Sequence, residues 1–155
     1  MRKRVDFEGL VGSGWPSLEE LERRFWTRLR EDGAVMGKLS AEGVDGTAHL
    51  EPRNGRIDVG LRLQGIEEHG VILLYWKRGY DDFYSFTGDL SRLREWIFSL
   101  SQTWMPVPLF IPAEKAWNAT KEFIETEGAL PRSIDWIAAL DLPPNSFSGA
   151  DPSTD

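Results

Sequence analysis

The chain has 155 residues, a formal net charge of −7 and no cysteine. Its length predicts one domain with a substantial core, and the missing cysteines exclude disulfides, thiolate nucleophiles and cysteine-ligated metals. The acidic balance argues against a nucleic-acid ligand, which needs a basic surface, and no apolar run approaches the ~20 residues of a membrane-spanning helix.

Residues 1–14 are predicted to be a flexible lead-in, because they end in a glycine-rich run. Residues 2–4 are basic, as at the start of a signal peptide. Acidic Asp6 and Glu8 then follow, where such a peptide would be apolar. We therefore expect no export by that route and a cytoplasmic location.

The segment from Ser17 to Gly33 predicts a helix. Ser17 and Glu20 form a capping box, in which each side chain binds a main-chain amide of the first turn. Apolar residues then recur at the three- and four-residue spacing of a helix with one buried face: Leu18, Leu21, Phe25 and Leu29. Gly33 is the predicted end of this helix.

Four segments of strand character follow and predict an antiparallel meander. They are residues 47–51, 57–63, 71–76 and 83–86. Asn54 and Gly55 supply a tight turn between the first two segments. Residues 71–76 are apolar on both faces, which is typical of a central strand covered on both sides.

The C-terminal part predicts further helices and a last strand. Apolar residues at helical spacing predict a helix over residues 89–101, and Pro112 begins another helix that ends before Gly128. Residues 133–137 form a short strand, and residues 141–155 are predicted to be a disordered acidic tail. The predicted fold is α+β, a single domain over residues 15–140.

That domain is predicted to hold an antiparallel sheet of about five or six strands, packed by two or three helices. The sequence gives no recognisable catalytic motif within it. His49 has no nucleophile beside it, and Asp81 and Asp82 are neighbours in a turn rather than two carboxylates held apart in a cleft. We expect no enzyme and no bound metal or cofactor. A small enzyme or ligand-binding module with an unrecognised site at His49 or at Asp81 and Asp82 stays as the alternative.

Acidic and aromatic side chains at predicted turns and edges favour recognition of another protein. An acidic surface suits a basic partner, and exposed Tyr or Trp side chains serve as anchors at interfaces. The candidate partner-binding residues are Glu67, Glu68, Tyr80, Asp81, Asp82, Tyr84 and Trp104.

Three segments carry a resemblance to a known family. The most informative runs from Ile111-Pro112 through the residues Ala116, Phe123, Gly128, Pro131 and Trp136. The others are residues 16–21, and residues 71–76 with residues 79–85. Over residues 15–138 the chain resembles the Imm1 family of bacterial immunity proteins. It departs from the family at Leu130, where arginine is frequent, with Arg132 just after.

The resemblance implies a small α+β protein that binds and neutralises a cognate toxin of a polymorphic toxin system. The partner would be the C-terminal toxin domain of a secreted effector, such as a deaminase or a nuclease. The residues that carry the resemblance have structural character, so they imply no binding residues.

Overall fold

An antiparallel sheet organises the fold, seen in a computed structural model that describes residues 2–45 and 56–147. The described strands are β1 (Arg2–Phe7), β2 (Leu10–Ser13), β3 (Ala34–Asp45), β4 (Arg56–Ile66), β5 (Gly70–Lys77), β6 (Phe83–Phe86), β7 (Trp96–Phe98), β8 (Trp104–Pro106), β9 (Phe110–Ile111) and β10 (Asp135–Ala138). The α-helices are α1 (Leu18–Asp32) and α2 (Ala113–Glu125), and single 3-10 turns lie at Leu90–Arg92, Val107–Leu109 and Ala139–Asp141.

Eight of these strands form the main sheet, in the order β10-β6-β5-β4-β3-β1-β2 with β9 beside β5. All the neighbours pair antiparallel, and β7 with β8 makes a separate two-stranded sheet. The α+β class is confirmed, but the sheet is larger than the predicted five or six strands. Among the described residues, no helix has the length and apolar character needed to cross a bilayer.

The two helices cover one face of the sheet and bury the main core. Helix α1 begins after Ser17 and ends at Gly33 as predicted: the Ser17 hydroxyl accepts a 3.2 Å hydrogen bond from the Glu20 amide, and Gly33 closes the helix at φ 73°. Only this half of the predicted capping box forms, because the Glu20 carboxylate accepts from Arg23 and Arg24 instead. Helix α2 buries Ala116 and Phe123 completely against the sheet. The central strand β5 contributes the buried residues Val71, Leu73 and Tyr75 to this core.

A second core lies on the opposite face, over β5, β6 and β10. Its buried residues are Ile72, Ile97, Leu109, Phe110 and Ile137. Leu142 and Phe147 pack against it, so the tail predicted from residue 141 is in fact folded as far as residue 147. The Trp96 indole also holds this stretch, because it donates a 2.8 Å hydrogen bond to the Ser146 carbonyl oxygen.

The predicted flexible lead-in is wrong, because residues 2–13 form the hairpin β1–β2 at the edge of the main sheet. Val5 and Phe7 are buried in the main core, and Glu8 and Gly9 make its turn with φ values of 48° and 84°. Two inward-facing apolar residues among charged ones were too weak a pattern to predict this strand. The turn has the positive φ values of a tight hairpin.

The predicted helix over residues 89–101 is also wrong. The chain forms a 3-10 turn and then strand β7, in which Ile97 points inward while Trp96 and Phe98 point away from the core. Hydroxyl groups at Ser99 and Ser101 lie 2.9 Å apart and stabilise the turn that follows. Such local side-chain hydrogen bonds compete with a helix. The predicted strand at residues 47–51, its turn and His49 lie outside the described residues.

Candidate functional site

Two of the predicted partner-binding residues, Glu67 and Glu68, lie in the exposed turn between β4 and β5. The Glu67 amide donates a 2.9 Å hydrogen bond to the Gly33 carbonyl oxygen, and the His69 amide donates to Ile66. The main chain of this turn is therefore held at its base, while the two carboxylates face solvent. Neither carboxylate takes part in an ion pair with another described residue.

Tyr80, Asp81 and Asp82 lie in the exposed turn between β5 and β6, at the other end of the sheet. Strand β5 has eight residues, which separates the two acidic turns by roughly 25 Å. The Lys77 ammonium group lies 4.7 Å from the centre of the Tyr80 ring. The predicted acidic residues thus form two distant patches rather than one continuous site.

Tyr84 is a packing residue in strand β6. Its half-buried ring lies 5.3 Å from the ring of Phe147, on the second core. Burial raises the pKa of Tyr84, the negative charge of Asp82 adds to the rise, and Arg62 opposes it. Tyr84 therefore lies near Asp82, but as a half-buried packing residue rather than as an exposed anchor.

Trp104 pairs with a residue that the sequence did not single out, Phe98. The two side chains face each other across strands β7 and β8, with ring centroids 5.0 Å apart and an interplanar angle of 59°. Phe98 is 50% exposed and Trp104 is 40% exposed. We call this pair the aromatic clasp. Phe98 was missed because it fell inside the predicted helix, although aromatic and β-branched residues such as Trp96, Ile97 and Phe98 are enriched in strands.

The hairpin that carries the clasp is fixed at both ends. The Ser99 amide donates to the Thr103 carbonyl oxygen at 2.8 Å, and the indole of Trp96 donates to the Ser146 carbonyl oxygen at 2.8 Å. Beneath the clasp, Ile97 packs in the second core. These contacts restrain the hairpin beneath the two rings, and a restrained binding surface loses less entropy on binding.

The tip of the hairpin lies at the same end of the sheet as Glu67 and Glu68. The link is Gln64 of β4, whose side-chain amide donates a weak 3.4 Å hydrogen bond to the Ser101 hydroxyl. Gln64 is only 4% exposed, and its Oε1 accepts no hydrogen bond from any described group. Among the predicted partner-binding residues, Trp104 therefore lies at the same end of the sheet as Glu67. Asp81 and Asp82 lie at the opposite end.

The described residues contain no group of three His, Asp or Glu side chains placed to hold a metal ion. The alternative site at Asp81 and Asp82 is an open turn, and His49 lies outside the described part of the chain. Comparison with protein-family models, with curated proteins and with solved structures finds no match to this chain. The aromatic clasp, with the carboxylates of Glu67 and Glu68, is therefore the candidate site.

Proposed function

We propose that this chain is an immunity protein of the Imm1 type, which binds a cognate bacterial toxin and neutralises it by covering its active or substrate-binding surface. The toxin would be the C-terminal domain of a secreted effector, with deaminase or nuclease activity. Binding would take place in the cytoplasm of the producing cell.

The observation that carries the proposal is the exposed aromatic clasp. Two large rings held at the surface lose little entropy on binding, and Trp and Tyr side chains in such positions dominate the energy of protein interfaces. The clasp is apolar, lies on a hydrogen-bonded hairpin and is bordered by polar groups at the hairpin tip, as the centre of an interface is. A surface of this kind serves recognition of a partner.

The charge of the chain supports the same proposal. A net charge of −7, with Glu67 and Glu68 at the clasp end of the sheet, suits a basic partner. Enzymes that act on nucleic acids carry basic surfaces for their substrate. Electrostatic attraction would then speed the encounter, and the clasp would provide the lasting contact.

The residues that carry the family resemblance form one packed unit. The Tyr75 hydroxyl donates to the Gly128 carbonyl oxygen at 2.8 Å, and the Trp136 indole donates to the Pro131 carbonyl oxygen at 2.7 Å. Phe123 of α2 is completely buried, with its ring 6.1 Å from that of Tyr75. These residues join α2, β5 and β10. Proteins that share this packing would need the same residue types at these positions, which supports the resemblance to the family.

Coexpression tests the proposal directly. The proposal predicts that a toxin domain is encoded immediately upstream of this chain. That domain is expressed in cells with and without this chain, and we expect growth only when the chain is present. Death of the cells that express both proteins would exclude the proposed function. The growth test needs no assumption about which surface of the chain is used.

A binding measurement then tests the clasp. Phe98→Ser and Trp104→Ser should each weaken toxin binding by about 2 kcal/mol, roughly thirtyfold in Kd, measured by calorimetry. Leu140→Ser is the matched control, because Leu140 is an equally apolar side chain that is 77% exposed elsewhere. Equal affinities for all three variants would place the interface on another surface.

A further inference from the structure

The face of the sheet opposite the helices is only partly covered. The second core shields β5, β6 and β10, while the same face of β1, β2, β3 and β4 carries the exposed side chains of Arg4, Asp6, Val11, Lys38 and Arg62. Cross-strand pairing fixes their places, since Asp6 lies opposite both Val11 and Lys38. We call this surface the open face.

The open face is positively charged in an otherwise acidic protein. Besides the ion pairs Arg2–Glu42 and Arg78–Asp58, it carries Arg4, Lys38 and Arg62 with one unpaired carboxylate, Asp6, while the whole chain has a net charge of −7. Within the described residues, none of these three cations makes an ion pair, whereas neighbouring Arg2 pairs with Glu42 at 3.2 Å. The three charges are therefore available to a ligand.

A groove crosses this surface over β1, β2 and β3. Its volume is about 430 Å³, and its lining includes the hydroxyls of Ser13 and Ser40 on either side of Arg4, with Lys38 and Asp6 beside them. Register places Ser13, Arg4 and Ser40 in one row across the three strands. One guanidinium group between two hydroxyls is suited to a carboxylate, which accepts several hydrogen bonds.

The groove opens at the free edge of the sheet. Strand β2 pairs only with β1 in the described part of the chain. The two-residue turn makes Phe7 and Leu10 the first hydrogen-bonded pair, so the amides and carbonyls of Val11 and Ser13 point outward. The 2.7 Å hydrogen bond from the Gly14 amide to Lys3 agrees with this alternation.

Nothing in the sequence of β2 protects this edge by charge or by proline. Its four residues are Leu-Val-Gly-Ser, and Val11 is 72% exposed. Edge strands commonly carry lysine, proline or a bulge that prevents another strand from pairing with them. An edge without these features is able to accept an extended segment.

We propose that β2 accepts an extended acidic segment of a protein partner as an additional strand, with its carboxylates directed over the groove towards Arg4. The added strand would lie two strand spacings from β1, roughly 10 Å, and the long side chains of Arg and Glu together span that distance. Lys38 and Arg62 add attraction at longer range. This surface does not depend on the partner being a toxin.

A single-stranded nucleic acid is the competing anion, and the open face suits it less. Such ligands stack their bases on free aromatic rings. Trp76 of the neighbouring strand β5 borders the open face, and its ring lies against Gly60 on one side, where an added Cβ would be 1.8 Å from the ring. The Lys38 ammonium group lies 5.6 Å from the centre of the same ring, so the ring is not a free platform.

The test uses the full chain and fluorescence anisotropy with labelled peptides of about eight residues, which is within the usual range of strand lengths. A peptide of alternating Glu and Thr is expected to bind, and one of alternating Lys and Thr is not. In a strand, every second amide faces the same neighbour. N-methylation of all the amides of the acidic peptide that would face β2 should abolish binding, because it removes the hydrogen-bond donors to β2. Oligothymidylate of similar charge serves as the nucleic-acid probe.

Two variants locate the binding site. Arg4→Glu should weaken binding of the acidic peptide about tenfold or more, while Lys115→Glu, an equal charge reversal on α2, should have a small effect. The Trp15 indole donates to the carbonyl oxygens of Arg4 and Ser40, each at 3.1 Å. Unchanged tryptophan emission will therefore show that the sheet is intact in Arg4→Glu.

The peptide-binding experiment has one result that supports the proposal and four that contradict it. Selective binding of the acidic peptide that is lost on N-methylation and in Arg4→Glu would support the proposal. No binding up to about 1 mM peptide, equal binding of the basic peptide, tighter binding of oligothymidylate, or equal loss in Arg4→Glu and Lys115→Glu would overturn it.

Discussion

The phenolic hydroxyl of Tyr75 donates a 2.8 Å hydrogen bond to the main-chain carbonyl oxygen of Gly128. This bond joins the central strand β5 to the turn that ends helix α2. Gly128 has a φ of 110°, and an added Cβ would lie 2.6 Å from Val59. The turn is therefore restricted to glycine both by its conformation and by its close approach to the sheet.

Tyr75 gives a prediction about alkaline pH. Burial raises the pKa of Tyr75 to about 12, whereas a tyrosine in the unfolded chain ionises near its ordinary value of about 10. Above about pH 10 the unfolded state loses a proton that the folded state keeps, so this contribution is fully present at lower pH and is lost as the pH approaches about 12. We expect the wild type to lose about 2 kcal/mol more than Tyr75→Phe over that interval.

Urea denaturation of both proteins at several pH values measures this difference. Tyr75→Phe retains the other tyrosines, including Tyr84, whose pKa burial also raises, so the comparison isolates one group. Parallel stability curves for the two proteins between about pH 10 and about pH 12 would contradict the prediction.

Ser85 should be the most sensitive small polar residue in the core. It is completely buried in β6, where its hydroxyl accepts from the Leu73 amide at 2.8 Å and donates to the Leu109 carbonyl oxygen at 2.6 Å. Ser85→Ala leaves both groups without this partner and should destabilise by about 2–3 kcal/mol. Gln64→Met is the comparison variant, since Oε1 of Gln64 is buried and accepts no hydrogen bond from a described donor.

The free energy of unfolding of Gln64→Met should therefore equal that of the wild type or exceed it by at most about 1 kcal/mol. Chemical denaturation of the two variants provides the measurement. A loss of stability in Gln64→Met as large as that in Ser85→Ala would show that the Gln64 amide is fully satisfied.

Gly60 should tolerate no side chain, because the Trp76 ring lies on it. An added Cβ would be 1.8 Å from a ring carbon, so Gly60→Ala must displace the indole from the sheet. We expect a loss of about 1–3 kcal/mol and a red shift of tryptophan emission. Gly12→Ala is the control, since nothing lies within 4 Å of its added Cβ, and equal effects of the two substitutions would contradict the packing.

Charge reversal distinguishes the two acidic turns. Glu67→Lys with Glu68→Lys should slow toxin association about tenfold at low salt, because these carboxylates lie at the clasp end of the sheet. Asp81→Lys with Asp82→Lys should change it little, since that turn is roughly 25 Å away. Stopped-flow association with the upstream toxin domain measures both, and the reverse order of effects would place the interface at the β5–β6 turn.

Strong local patterns made much of the fold predictable. Helix α1 follows from the Ser17 cap, the apolar spacing and Gly33, and strand β5 from its continuous apolar run. These signals are local, so they act wherever the segment lies in the fold. The α+β class and the Pro112-to-Gly128 helix were correct for the same reason.

The sequence by itself determined helices α1 and α2, strands β4, β5 and β6 and the acidic charge, because periodicity, capping residues and composition are properties of neighbouring residues. It did not predict β3, which lies between β4 and β1 in the sheet. Tertiary structure alone decided the β1–β2 hairpin, the β7–β8 hairpin and the meeting of Phe98 with Trp104. Spacing at residues 93–100 fits a helix as well as a strand, and pairing with β8 over a second core selects the strand. That choice rests on contacts between distant residues, which local patterns do not contain.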